Sequence, residues 1–331
     1  MTILEMFETK LRKDPKTIVF PEGSDPRILE AASRLLAANF LFPILIGKEQ
    51  EIFEAAEEAG FNIRGAKIID PMHYEKLDEM VSLFTEIRAD KGMTEEKARV
   101  MLLHPNYFGC MLVKMGEADS MLSGATYAAS DTLLPAMRIL KQYHEDGSRK
   151  IVSSCYVLDR INATGENTQI EMADCAINID PKEDELVEIC GEVIQCARAF
   201  GITPKVAFLS YSTNGSGKGE SVDKMHNAAQ KAKAAYPKEL IEGEMQMDAA
   251  VSPNVAKLKY PDSKVAGYAN TFIFPDVMSG NIGYKIAARM GNFSVYGPIL
   301  LGLDGKVNGL SRSCNGQEVY TMAVITAAGI Q

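Results

Sequence analysis

Several signals that would tie a chain to a metal, a membrane or a nucleic acid are missing. The six cysteines contain no CxxC pair, and His73, His104, His144 and His226 are not at ligand spacing, so no zinc or other metal site is expected. There is no basic block, and a net charge of −9 over 331 residues argues against nucleic acid or an anionic membrane as partner. Neither a long apolar span nor an N-terminal signal pattern is present, so a cytoplasmic protein is expected. Cys190 and Cys196 share one helical stretch and Cys175 sits in an apolar run, which reads as reduced, mostly structural thiols. Internal repeats, low-complexity segments and a Ser-His-Asp or Cys-His arrangement are also missing.

What is present alternates between strand and helix. The length exceeds a usual single core, so two domains are expected. Residues 1–16 predict a helix with Ile3, Leu4, Phe7 and Leu11 on one face. Thr17 to Gly23 predicts a strand and its turn, with Asp25 as N-cap and Pro26 at the first position of the next helix. Pro43 to Gly47 predicts a second strand, and this spacing makes a right-handed βαβ unit. Residues 78–103 have helical patterning, with Arg88 on a face that a solvated arginine would also suit.

Asp119 to Ala125 predicts a short strand. Thr126-Tyr127-Ala128-Ala129-Ser130-Asp131-Thr132 then offers hydroxyls and free N–H groups at a helix start, where phosphate binds well; Ser130 or Asp131 as a plain N-cap explains the run equally. Gly147 to Lys150 is the best domain boundary. Beyond it, strands are expected from Ile151, over Asp174–Pro181, Val206–Ser212, Val265–Asn270 and Thr271–Pro275, and helices over 183–200 and 221–236. The loop Thr213-Asn214-Gly215-Ser216-Gly217-Lys218-Gly219 suggests a phosphate cradle. It is neither a Walker A loop, since Ser212 stands where glycine is required, nor GxGxxG.

The last forty residues hold the densest chemistry. A buried strand, Tyr296 to Leu303, and a buried helix, Val319 to Ala328, flank Gly309-Leu310-Ser311-Arg312-Ser313-Cys314-Asn315-Gly316-Gln317-Glu318. Arginine beside a helix N-terminus makes an electropositive corner for an anion. Asn315 and Glu318 also have the spacing of a capping box, so Glu318 has a purely structural reading as well. Cys314 reads as a small buried residue.

Phe274-Pro275-Asp276, Ser279-Gly280-Asn281-Ile282-Gly283-Tyr284-Lys285, Gly297-Pro298 and Val307-Asn308-Gly309-Leu310-Ser311-Arg312 resemble the C-terminal signature of the phosphate acetyltransferases. Phe20-Pro21-Glu22-Gly23, Pro43 to Gly47, the 126–132 run, the Ser210-Tyr211-Ser212-Thr213 stretch leading into the glycine-rich loop, and Glu242 to Ala250 extend the resemblance over almost the whole chain. It implies an α/β protein of two domains with mostly parallel sheets, an isocitrate/isopropylmalate dehydrogenase-like architecture and an active site in the interdomain cleft. The first domain would comprise 1–147 plus 298–331, and the second 148–297 with the interface of a homodimer.

The activity implied is reversible transfer of acetyl between coenzyme A, bound as substrate with no tightly held cofactor, and phosphate. Ser311, Arg312 and Glu318 would be catalytic, Arg88 would contact coenzyme A, and Thr126, Ser130, Asp131, Thr132, Ser212, Thr213, Gly215 and Asn281 would line the substrate and phosphate site. Two positions depart from the family pattern: Leu134 replaces an arginine before Pro135, and Glu318 replaces aspartate. A thiol near pKa ~8.5 gives its proton to a carboxylate near ~4.3 at a cost of about 6 kcal/mol, so Glu318 as base needs burial or proton loss concerted with attack. Competing readings are a metal- and NAD-dependent decarboxylating dehydrogenase, for which no aspartate cluster is evident, and a non-catalytic coenzyme A-binding protein.

Overall fold

The structure, a computed structural model, describes residues 2–161, 165 and 167–329. It divides into two compact units, Met1–Arg149 with Leu303–Gln331, and Lys150–Gly302. The first opens with α1 (Ile3–Lys13), β1 (Lys16–Phe20), α2 (Pro26–Ala38), β2 (Leu41–Ile46), α3 (Glu49–Ala59) and β3 (Lys67–Ile69). Then come α4 (Leu77–Ile87), α5 (Glu95–Leu102), α6 (Pro105–Lys114), β4 (Ser120–Ser123) and α7 (Ala129–Ile139). The second contains β5 (Ser153–Ile161), β6 (Asn167–Ala173), α8 (Glu183–Ala199), β7 (Lys205–Leu209), α9 (Glu220–Ala235) and β8 (Leu240–Met245). It continues through α10 (Met247–Val251), α11 (Pro253–Lys259), β9 (Thr271–Ile273), α12 (Val277–Met290) and β10 (Ser294–Leu301). β11 (Lys306–Gly309) and α13 (Gly316–Ala328) complete the first unit.

Local rules explain the helix ends that matter. The Asp25 side chain accepts the Arg27 N–H, Pro26 occupies the first turn, and Asn39 closes α2 in the left-handed conformation. Ile28, Leu29, Ala31, Ala32 and Leu35 then face inward. α13 is buried along most of its length, from Val319 to Ala328, because it lies over β1, β4 and β11 between α1 and α2. A polar side chain in its middle would have no water to face.

The first sheet runs β11-β4-β1-β2-β3, with all four pairings parallel. After β1 the chain steps outward to β2 and β3, then returns to place β4 on the other side of β1. Strand order therefore reverses between β1 and β4, the place where open α/β sheets of this kind hold their ligands, at the carboxyl ends of the strands. The second sheet runs β10-β5-β6-β9-β7-β8 and is parallel from β6 to β8, with β5 antiparallel to β6 and β10 antiparallel to β5. Mostly parallel α/β sheets are what the alternation of elements predicts.

Several sequence expectations differ from the structure for identifiable reasons. The helical stretch over 78–103 breaks after α4: Gly92 takes φ +66° and Thr94 caps a fresh start for α5. Asp174–Pro181 is a turn rather than a strand, because the Asp174 carboxylate accepts the N–H groups of Ala176, Ile177 and Asn178. Val265–Asn270 is likewise turned, with the Ser263 hydroxyl accepting from Val265 and Ala266 and Gly267 at φ +83°. β10, read as buried, is only half-buried over most of its length. α7 starts at Ala129, and Ala128 rather than Ser130 or Asp131 is its N-cap residue.

Candidate active site

Three adjacent parallel strands of the first unit, β1, β4 and β11, each run into a turn and a helix start: α2, α7 and α13. Their N-terminal N–H groups lie at one edge of the sheet, which favours anions. Each start also has a carboxylate of its own. Asp25 caps α2, Asp131 accepts the Ala128 N–H at 3.1 Å, and Glu318 accepts the Asn315 N–H at 2.9 Å while Asn315 accepts the Glu318 N–H at 2.9 Å. The capping box read from the sequence at Asn315 and Glu318 is therefore present, and the second Glu318 oxygen is not used by it.

Two residues that the sequence reading passed over hold these turns together. Glu22, buried at the end of β1, accepts the N–H groups of Gly124, Thr126 and Tyr127 at 2.8–3.2 Å and the Thr126 hydroxyl at 3.3 Å. It ties the β1 turn to the β4 turn across the reversal in strand order. Arg27, in the first turn of α2, is fixed by Asp25 and donates to the carbonyls of Ala125 (2.7 Å), Arg312 (2.8 Å) and Cys314 (3.3 Å). Burial pushes the Asp25 carboxyl up, but hydrogen bonds from Arg27 outweigh it and hold it below its usual range. The available signals were a glutamate just after a strand end and an arginine two residues past an N-cap.

Gly124 shows how close the turns come. At φ +121°, a Cβ there would lie 2.7 Å from the Leu310 carbonyl oxygen. Any side chain would push the β4 and β11 turns apart. Beyond Leu310, Ser311, Arg312 and Ser313 are exposed. The Ser311 and Ser313 hydroxyls lie 2.9 Å apart, and the Arg312 guanidinium makes no hydrogen bond or ion pair among the described residues. Cys314 turns inward; burial pushes its thiol up, only partly opposed by Arg27, so it stays protonated.

Among the remaining first-unit candidates, Thr126 is exposed but commits both its N–H and its hydroxyl to Glu22. Ser130 is exposed on the first turn of α7, where Thr132 is buried with an unpartnered hydroxyl. Leu134 is 44 % exposed on the same helix. Arg88 ends α4, half-buried, with its Nε unpartnered. Close to it in sequence is an open groove of about 510 Å³ lined by Lys91, Gly92, Met93, Glu96, Lys97, Val100 and Met101.

The second unit brings Ser212, Thr213 and Gly215 into one loop after β7, and there the donors are spent. The Ser212 hydroxyl donates to Glu244 at 2.9 Å and accepts from the Gly217 N–H, while the Gly215 N–H also donates to Glu244. Thr213 is paired with Gln246. Glu244, another residue passed over, is buried at the end of β8 and also meets His226 Nδ1 at 3.0 Å. Asn281, on α12, donates to the Cys175 carbonyl.

Comparison with known proteins decides the family. The sequence profile described as phosphate acetyl/butaryl transferase matches residues 2–327. The chain belongs to this phosphate acyltransferase family. It is 48 % identical over 316 residues to a phosphate acetyltransferase of Bacillus subtilis (strain 168), covering 96 % of this chain and 95 % of that protein. It is 42 % identical over 333 residues to a phosphate acetyltransferase of Thermoanaerobacterium thermosaccharolyticum, covering 100 % of each. A crystal structure of a phosphotransacetylase from Streptococcus pyogenes superposes with a TM-score of 0.92 at 44 % identity, covering 98 % of this chain and 97 % of that one. An acyltransferase of α/β fold is what the resemblance implied, and family and fold agree with it.

Proposed function

We propose that the chain catalyses the reversible reaction of acetyl phosphate and coenzyme A to give acetyl-CoA and inorganic phosphate, by direct attack in a ternary complex. The observation that carries this reading is the unengaged Arg312 guanidinium in an exposed turn, beside a helix start whose Glu318 has one carboxylate oxygen outside the capping box. Arg312 would grip the phosphoryl and developing carbonyl oxygens bidentately. Glu318 would take the thiol proton as the carbon–sulfur bond forms and the carbon–oxygen bond to phosphate breaks, phosphate leaving with that electron pair. Glu318 is exposed, which leaves concerted proton loss as the route around the transfer cost. The cofactor's own thiol is the nucleophile, so no enzyme residue is acylated; Cys314, buried and protonated, agrees.

Ser311 would orient these groups or touch substrate. Thr126, Ser130, Asp131 and Thr132 would line the phosphate side, Ser212, Thr213, Gly215 and Asn281 would shape it, and Arg88 would meet the anionic end of coenzyme A. The groove that follows Arg88, with Lys91 and Lys97 among Met93, Val100 and Met101, suits a ligand with both phosphate and apolar parts. Relatives named phosphate acetyltransferase support acetyl as the acyl group. The test is thioester formation from acetyl phosphate and coenzyme A without added metal or nicotinamide. Failure of the purified, folded protein to form thioester would overturn the reading.

We also read the protein as a cytoplasmic homodimer. Six free cysteines fit a reducing compartment, and among the described residues no helix is long and apolar enough to cross a membrane. α12 presents Met278, Ile282, Ile286 and Met290 on one row, 53–83 % exposed, while Tyr284 and Ala287 pack inward. Such a stripe fits a second copy of this chain. Ile282→Asp with Ile286→Asp should give a monomer in sedimentation; an unchanged dimer would place the interface elsewhere.

A further inference from the structure

The spacing of histidine and cysteine along the chain predicts no metal site, yet folding of the second unit brings three ligand-type side chains together. Cys155 lies on β5, Glu171 on β6 and Cys196 on α8. The register Val157↔Glu171 and Cys155↔Ala173 puts Cys155 and Glu171 on one face of the sheet. Tyr156, Leu158 and Met172 belong to a core cluster on the other face. α8 packs against β5 and β6 and supplies the third side chain.

All three residues are 0 % exposed, and their ligand atoms lie within 4.8 Å of one another, with the two Sγ atoms 3.1 Å apart. Neither Glu171 oxygen has a hydrogen-bond partner apart from the two facing thiols. The Ser153 hydroxyl, on the same face of β5 as Cys155, is also buried without a partner. A fully buried carboxylate with no other partner for either oxygen is rare in native proteins, and a bound ion is one of its ordinary explanations.

We propose that Cys155, Cys196 and Glu171 form an internal binding site for one borderline-soft divalent cation, zinc in the first instance. Two sulfurs and one carboxylate oxygen suit zinc over calcium or magnesium, and three protein ligands leave a fourth tetrahedral position. Zinc–sulfur bonds of ~2.3 Å would spread the two sulfurs to about 3.8 Å, a small shift from their present separation. Burial pushes the Glu171 carboxyl up to about 8, with the facing thiols offsetting only part of it, and pushes both thiols up as well. Binding replaces up to three protons, released to water, with one dication, and no oxidant or reductant is involved.

Because the site is sealed from solvent, the ion must enter while the chain folds, which sets the form of the experiment. The full-length protein is produced in medium with cobalt(II) replacing zinc, desalted without chelator and assayed for metal per chain and for thiolate-to-cobalt charge-transfer absorption. About one cobalt per chain with that absorption is expected. Both signals should vanish in Cys196→Ser and Cys155→Ser, with circular dichroism confirming that at least one variant folds. A wild-type protein without metal overturns the proposal, whether Glu171 holds a buried water or alkylation of denatured protein finds Cys155 and Cys196 joined as a disulfide. Metal content unchanged in a folded serine variant places the ion elsewhere and overturns it equally.

Discussion

The two units place polar turns at the carboxyl ends of parallel strands, and they use them in opposite ways. In the first, Glu22 and Arg27 draw the turns together through backbone groups, leaving Arg312 and one oxygen of Glu318 with nothing to hold. In the second, Glu244 collects the Ser212 hydroxyl, the Gly215 N–H and His226, so the loop that looks most like a phosphate cradle already has an internal anion in it. A glycine- and hydroxyl-rich loop marks an anion site in either case. Only the folded chain tells whether the anion is a ligand or a carboxylate of the protein.

The sharpest way to break this contrast is at Glu318, where a cap and a base coincide. Glutamine makes the same N3 contact, so Glu318→Gln should leave thermal stability within the ~1 kcal/mol value of a cap. If Glu318 is the base, kcat should fall by about 10²–10⁴-fold. Glu318→Asp should retain partial activity on its shorter stem. A stable, fully active Glu318→Gln protein would reduce Glu318 to its cap.

Arg312→Lys keeps the charge and removes the planar fork. A loss of roughly 10²–10³-fold in kcat is expected, the scale of deleting a donor to a developing oxyanion. Near-normal turnover would show that the unengaged guanidinium of the first unit is only a surface charge.

How much of this was legible in the sequence follows from where each signal comes from. Asp25 and Pro26, the helix faces of α2 and α8, and the capping box at Asn315 depend on neighbours in sequence, and they appear as expected. The strand expected over Asp174–Pro181 failed because a side chain competed with the ladder for backbone N–H groups, which no hydropathy pattern encodes. Arg312, Ser311 and Glu318 were legible as a group because eight residues hold them. Glu22 and Arg27 were not, since their partners lie some hundred or more residues away and are backbone atoms with no side-chain identity to read.

Arg27 tests whether the first unit's openness depends on its clamp. Arg27→Lys cannot reach the carbonyls of Ala125, Arg312 and Cys314 together while also pairing with Asp25. Stability should fall by about 2–3 kcal/mol, the scale of losing hydrogen bonds from a charged donor. If Arg312 is catalytic, the hydrogen bond from Arg27 to its carbonyl also positions it, and kcat measured far below the melting temperature should fall by roughly tenfold, about 1.4 kcal/mol in the barrier. A variant that melts earlier yet turns over normally when folded would make Arg27 a purely structural residue.

The smallest effect, and the cleanest separation of the two units, is expected at Glu244. Burial works to raise this carboxyl, but hydrogen bonds from Gly215, Ser212 and His226 prevail and hold it below the usual carboxylate range. The folded protein therefore releases this proton at lower pH than the unfolded chain does. Its stabilising contribution is complete above the unfolded value near ~4.3 and is lost as pH falls through the lower folded value. Glu244→Gln should flatten the acid limb of the melting temperature against pH. At neutral pH it should cost about 1.5–3 kcal/mol, the value of a hydrogen bond to a charged group. As an internal clasp, Glu244 should affect activity only through loop order, and ionic strength or added phosphate should not rescue it. If phosphate instead raises the melting temperature of Glu244→Gln more than that of the parent, the anion has entered the vacated place in the loop. The second unit would then hold a ligand site masked by its own carboxylate, and the contrast between the units would be one of occupancy rather than design.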